Sequence, residues 1–230
     1  MSGAVARVDP TEIASLLGES ELFEGFDQAE LERLAAAAEV RELRRNDGVF
    51  TEQDVAGELF VVRSGRIVIS IASPDGRESV MALMEAGDLF GEMGLFVEGA
   101  ARTASARALE PSELIAVPYP LVLERMTDRP ELLWGVVRLL TRRLRATDVA
   151  LADSMFLDVT GRTAKRLLEL AGDADEFALP VTQEELAGMV GASRERVNKA
   201  LAAFVRLGWL EQADRRYRIT DREQLTRRAR

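Results

Sequence analysis

The 230-residue chain contains no cysteine and no histidine. The first absence removes disulfides, thiolate zinc and iron–sulfur sites, and cysteine nucleophiles. The second removes histidine-ligated haem and histidine general bases. Carboxylate-pair hydrolysis would survive both losses, but no paired-carboxylate arrangement stands out. There is also no G-x-x-x-x-G-K-[ST] loop of the kind that holds ATP for hydrolysis. No catalytic residue and no metal ligand is therefore assigned. No apolar run approaches the ~20 residues needed to cross a bilayer. The opening residues MSGAVARVDPTE lack the apolar stretch of a secretion signal. A cytoplasmic protein with no membrane partner is expected, and not an enzyme.

What is present is ordinary in bulk and uneven in distribution. Hydrophobic residues make up 47% and charged residues 30%, as in a globular protein. A net charge of −9 is the wrong sign for nucleic acid. Yet Arg194–Arg230 holds 11 Arg plus Lys against 5 Asp plus Glu, a local +6 that leaves −15 on the rest. A basic end on an acidic body is expected if only that end meets phosphate. The plainer explanation is a basic tail formed by Arg227, Arg228 and Arg230.

The most informative stretch is TQEELAGMVGASRERVNKALAAF, Thr182 to Phe204. Thr182 and Glu185 have the spacing of a capping box. Leu186, Ala187 and Val190 give the helix that follows an apolar face. Gly191 supplies a turn residue for which positive φ is cheap, and Ser193 can cap a second helix. Val197, Ala200, Leu201 and Phe204 repeat at i, i+3, i+4 and i+7, one buried stripe. Arg194, Glu195, Asn198 and Lys199 fall on another face. Arg and Lys donate to guanine O6 and N7 and Glu accepts from cytosine N4, so this face can read a major groove of double-stranded DNA.

Upstream, Thr11–Leu17 and Asp27–Ala38 read as helices, the second capped by Asp27. Short apolar runs follow at Val49-Phe50, Glu58–Val62, Ile67–Ile71, Val80–Met84 and Leu114–Val117. Turn signals such as Asn46-Asp47-Gly48 and Ser64-Gly65 separate them, the pattern of a β-barrel or roll. Pro118–Asp153 reads as helical. The helix beginning near Pro130 carries a seam at Leu133, Val137, Leu140, Leu144, Thr147, Leu151 and Ser154, spaced alternately by three and four. Such a seam predicts a homodimer along this helix, with packing onto the chain's own β-domain as the alternative. Met155–Thr160 is expected to be a hinge, with Asp158 or Thr160 capping a helix over Gly161–Ala171. Gly172–Asp175 reads as a short acidic loop, and Trp209-Leu210 with Tyr217–Ile219 as a β-hairpin wing.

A second constellation is GDLFGEMGLFVEGAARTASA, Gly87 to Ala106. Its glycines let backbone approach a ligand. Arg102 beside Thr103 and Ser105 suits a phosphate, whereas Glu92 would repel phosphate and suits a sugar hydroxyl. The set fits one phosphate plus one ribose; a glycine-rich barrel corner with a surface salt bridge fits the pattern as well.

Taken together, the roll, the Gly91-Glu92 to Arg102-Thr103 cassette, the long helix, the hinge Phe156–Arg162 and the helix-turn-helix resemble the Crp/Fnr family of bacterial transcription regulators, in its cyclic-AMP receptor branch. The resemblance implies an α+β chain: an N-terminal β-roll of the jelly-roll, cyclic-nucleotide-binding type, a dimerisation helix and a C-terminal winged helix-turn-helix. It places a lead-in at 1–20, the roll at 21–129, the dimer helix at 130–155, the hinge at 156–160 and the DNA-binding domain at 161–230. It implies that Gly91 and Glu92 hold the ribose of cyclic AMP, that Arg102 and Thr103 bind its cyclic phosphate, and that Arg143 and Thr147 reach it from the long helix. In DNA, Arg194, Glu195 and Lys199 would read bases and Thr182 and Ser193 would sit on phosphate, over a TGTGA/TCACA-like palindrome. RNA polymerase is the implied protein partner. Asp148 stands where the receptor has a serine that touches adenine, and its carboxylate could also accept from guanine. Lys199 stands where arginine is usual, and Gly172–Glu176 is shorter than the receptor's polymerase-contacting loop. A regulator that binds DNA without nucleotide, or answers another effector, is the alternative.

Overall fold

The computed structural model describes residues 9–73, 78–214 and 216–230. The chain divides into two units, Met1–Ile71 with Met81–Leu144 and Ala72–Val80 with Arg145–Arg230. In the first, α1 (Pro10–Gly18) and α2 (Gln28–Ala37) lead into β1 (Glu39–Leu43), β2 (Gly48–Phe50), β3 (Glu58–Ser64), β4 (Ile67–Ala72), β5 (Glu78–Met84) and β6 (Leu89–Phe90). After β7 (Ser105–Ala108) and β8 (Ser112–Pro118) come α3 (Tyr119–Asp128) and α4 (Leu133–Phe156), whose residues from Arg145 on belong to the second unit. The strands form two four-stranded sheets, ordered β1-β8-β3-β6 and β2-β7-β4-β5.

The apolar runs at Leu59–Val62 and Leu114–Val117 have no polar alternation because both faces of these strands are buried. Leu59, Val61, Ile115 and Val117 pack against α1, α2, α3 and the start of α4. Phe60, Val62, Leu114 and Ala116 point into the roll, with Phe90 and Ile67. Phe60 and Phe90 stack there at 5.1 Å. The lead-in helix is part of this core: Ile13, Ala14 and Leu17 of α1 are buried in it. Four strands escape the sequence reading. β1, Glu-Val-Arg-Glu-Leu, holds no apolar run, β6 lies inside the glycine-rich segment, β7 begins at its end, and β9 (Glu176–Ala178) follows the acidic loop.

The helical stretch expected from Pro118 to Asp153 divides near Pro130, where the long helix was expected to begin. Pro130 has no amide hydrogen and disfavours helical geometry in the residue before it. Arg129 accordingly sits at φ −132°, ψ 81°, and a 3₁₀ turn (Pro130–Leu132) intervenes before α4. On α4, Gly135, Val136 and Leu139 are buried, while seam residues Leu133, Val137, Leu140, Leu144 and Leu151 remain 39–62% exposed.

The second unit contains α5 (Val159–Ala171), β9, α6 (Gln183–Val190), α7 (Arg194–Arg206), β10 (Leu210–Ala213), β11 (Arg216–Ile219) and α8 (Arg222–Arg228). The chain leaves helical geometry only at Leu157 and Asp158, so α5 starts two residues before the expected Gly161. Asp158 is the cap, accepting from the Gly161 amide at 2.8 Å. Thr160 lies in the first turn instead, because a capping side chain reaches an amide two or three residues ahead. The wing is a three-stranded sheet, β10-β11-β9. Its base is stapled by Phe177 against Tyr217 and by Phe204 of α7 against Trp209.

Candidate functional site

The glycine-rich segment folds as β6, a 3₁₀ turn and the start of β7. Gly91 adopts φ 81°, a left-handed conformation that favours glycine, and opens a 3₁₀ turn over Glu92–Gly94. This turn buries Glu92 to 4% exposure. Arg143 of α4 brings Nη1 to 2.6 Å from Glu92 Oε1, and its Nη2 donates to the Leu89 carbonyl at 2.6 Å. The pair is close but off-axis, and neither Glu92 oxygen receives a hydrogen bond of good geometry. Burial raises the Glu92 pKa above the usual glutamate value. Arg143, the Glu92 amide and Arg102 oppose that rise without cancelling it.

Arg102 is also buried, at 6% exposure. It donates from Nη1 to the Gly91 carbonyl and from Nη2 to the Glu58 carbonyl, both at 2.9 Å. Its guanidinium lies over the Phe50 ring at 4.2 Å, while Nε has no hydrogen-bond partner. The Tyr119 hydroxyl closes the arrangement, donating to the same Gly91 carbonyl. Thr103, the next residue, is exposed. Gly91, Glu92, Arg102 and Arg143 thus converge, and they combine a buried acceptor with two guanidinium groups. That chemistry suits a ligand with a hydroxyl to donate and an anionic group to accept. Thr147 and Asp148 follow Arg143 on α4, and both are exposed. Tyr119 was not singled out from the sequence, because its link to the cassette spans 28 residues.

The helix-turn-helix is built as its sequence signals specify. Thr182 accepts from the Glu185 amide at 3.2 Å while the Glu185 carboxylate accepts from the Thr182 amide at 2.6 Å, a complete capping box. Gly191 ends α6 at φ 66°. Ser193 Oγ accepts from the Arg196 amide at 3.4 Å. Val197, Ala200, Leu201 and Phe204 are all buried. Arg194, Glu195 and Lys199 are exposed, as is Arg196, a cation the sequence reading left out. Glu195 and Lys199 form an ion pair at 2.7 Å, and Lys199 lowers the Glu195 pKa. Asn198 departs from the expected free face: it is only partly exposed, and its Oδ1 is enclosed without a partner. Its position beside the buried Val197 and Leu201 turns it toward the packed side of α7.

Among the described residues, no His/Cys/Asp/Glu cluster could hold a metal, and no helix is long and apolar enough to cross a membrane.

Comparison with known proteins agrees with this architecture. A model of the cyclic nucleotide-binding domain matches residues 40–129, and a model of the Crp-like helix-turn-helix domain matches residues 161–228. The CRP-like cAMP-activated global transcriptional regulator of Mycobacterium tuberculosis H37Rv is 37% identical over 222 residues, covering 94% of this chain and 99% of that protein. Among solved structures, the catabolite activator protein of Thermus thermophilus is 30% identical with a TM-score of 0.52, covering 91% of this chain and 98% of its own. The c-di-GMP-responsive global regulator CLP of Xanthomonas campestris is 29% identical with a TM-score of 0.74, covering 84% and 99%. A near-full-length relative at this identity, with a cyclic nucleotide-binding domain ahead of a Crp-like helix-turn-helix, shows that the chain belongs to the Crp/Fnr family of transcription regulators and is not an enzyme.

Proposed function

We propose that this regulator works in the cytoplasm as a homodimer, is switched by cyclic AMP, and binds a TGTGA/TCACA-like palindrome in concert with RNA polymerase. The observation that carries the effector reading is Glu92. A buried carboxylate without a well-aligned donor suits a ribose 2′-hydroxyl. Gly91 frames the ribose side, and Arg102 and Thr103 take the cyclic phosphate. Arg143 and Thr147 reach the ligand from α4, with Thr147 at the adenine amino group. In DNA, Arg194, Glu195 and Lys199 read base edges, with Asn198 beside them, while Thr182 and Ser193 rest on phosphate. The exposed seam of α4 supports the dimer. Ligand shifts the equilibrium only by binding the DNA-competent state more tightly than the idle one.

A second reading has its own observation. Asp148 is an exposed acceptor on α4 that could take guanine N1 and N2 hydrogens, and one structural neighbour is c-di-GMP-responsive. In a third reading the chain binds DNA without nucleotide. It draws on Arg102, whose terminal nitrogens are already engaged by two backbone carbonyls.

Calorimetric titration of purified protein with cyclic AMP, cyclic GMP and c-di-GMP separates the three, with Arg102→Leu as control. The expected result is binding of cyclic AMP in the micromolar range or tighter, lost in the variant, with the dimer intact. Binding of only a guanine nucleotide selects the second reading. Binding of none of them leaves the third, and unchanged affinity in Arg102→Leu refutes the phosphate placement.

A further inference from the structure

The arginines of α8 are not a loose basic tail. Arg222 donates from Nε to Asp175 Oδ1 at 3.1 Å, from Nη1 to the Gly172 carbonyl at 2.9 Å and from Nη2 to the Ala174 carbonyl at 2.6 Å. It therefore gathers the acidic loop that follows α5. At the other end of α8, Arg228 Nη2 holds both carboxylate oxygens of Asp158, the cap of α5. The Arg228 carbonyl lies 3.0 Å from where a side chain on Gly161 would begin, so the two backbones touch. Between the arginines, Leu225 is fully buried. Arg227 pairs with Glu223 within α8. α8 thus runs along α5, fastened beyond its last turn by Arg222 and at its first by Arg228. α5 in turn packs against α6 and α7.

We propose that α8 is a splint on α5, and that Arg228 is a positioning residue for the hinge. The hinge consists of two residues, Leu157 and Asp158, between α4 and α5. Asp158 can cap α5 without Arg228, through the Gly161 amide. What Arg228 adds is a fixed direction for that carboxylate and a tether from the hinge to the helix that follows the wing, since α8 comes after β11 in the chain. Lys165 of α5 pairs with Asp153 in the last turns of α4, so the hinge is bracketed from both sides by ion pairs. Such pairs are screened by salt and worth little individually. A hinge held this way stays adjustable, and the splint biases its angle without locking it.

The test compares full-length wild type with Arg228→Gln, Asp158→Asn and the double variant, with Arg227→Gln as surface control. Asparagine can still accept from the Gly161 amide, so Asp158→Asn removes the charge without removing the cap. Hydrogen exchange is read at the amides of 159–163. Arg228→Gln and Asp158→Asn should each speed exchange about threefold or more, the double variant no further, and Arg227→Gln not at all. Wild-type exchange in Arg228→Gln, or additive effects in the double variant, would overturn the splint. The second arm rests on the function proposed above: a duplex carrying the TGTGA/TCACA palindrome is titrated with and without cyclic AMP. In Arg228→Gln the ratio of the two affinities should change by about threefold or more. An unchanged ratio alongside faster exchange would reduce Arg228 to a stabilising residue and overturn its positioning role. If wild type ignores this duplex, it is the proposed operator that fails, and the exchange arm still decides the splint.

Discussion

A carboxylate as buried as Glu92, facing two guanidinium groups, is costly to ionise until something donates to it. Its raised pKa has a definite sign for stability. The folded state holds the Glu92 proton more tightly than the unfolded chain does. Stability from this group is therefore greatest below the ordinary glutamate value, falls as pH rises through the raised folded value, and is lost above it. Glu92→Gln should flatten that part of the stability–pH curve and raise the melting temperature of the nucleotide-free protein at neutral pH. The same change should weaken cyclic-AMP binding about tenfold or more, since a hydrogen bond to a charged group is worth ~1.5–3 kcal/mol. Thermal melts from acid to neutral pH and calorimetry check the two halves. On α7, the proposed reading helix, Arg194→Ala should relax base preference in a binding-site selection, whereas Ser193→Ala should weaken all sequences alike. That Gly91, Glu92 and Arg102 belong to one cluster was legible because they lie close together in the chain. The partners they meet in space were not: Arg143 reaches Leu89 across 54 residues, and Arg228 reaches Asp158 across 70. Charge alone does not say which carboxylate an arginine will find.

Helices were the more legible elements because their ends carry chemical signals. Asp27, Asp158, Thr182 and Ser193 all cap as their side chains allow. Strands showed where a short apolar run stood between turn signals. β7, Ser-Ala-Arg-Ala, has no β-branched residue, and it is a strand because β2 and β4 flank it. β9 is three residues long and exists through its pairing with β11. Two predictions belong at this scale. Thr182→Ala should cost ~1 kcal/mol through loss of the α6 cap, read as a lower unfolding midpoint. The Asp158 pKa is lowered, first by the Gly161 amide and then by Arg228. Its contribution to the start of α5 is therefore present above the ordinary aspartate value and lost as pH falls through the depressed folded value. Hydrogen exchange at 159–163 should speed up on acidification in wild type and change less in Asp158→Asn, after correction for intrinsic rates.

For the whole molecule, the proposed dimer rests on the seam of α4. Five exposed apolar seam residues, Leu133, Val137, Leu140, Leu144 and Leu151, form a patch that a second copy can cover. Leu144→Glu should shift the protein to monomer in sedimentation and abolish binding to a palindrome, with the fold of each unit retained by circular dichroism. The acidic body with its basic end was legible from charge counting, but that count overstated what is available to DNA. In α8, Arg222, Arg227 and Arg228 each already face a carboxylate. The seam also has a genetic consequence. In the proposed dimer it is separate from the reading helix, so a copy with an intact α4 and a ruined α7 would still assemble with normal chains. An allele of that kind, expressed beside the normal gene, would draw wild-type chains into defective pairs. It would act as a dominant negative, and adding Leu144→Glu to the same allele should make it recessive.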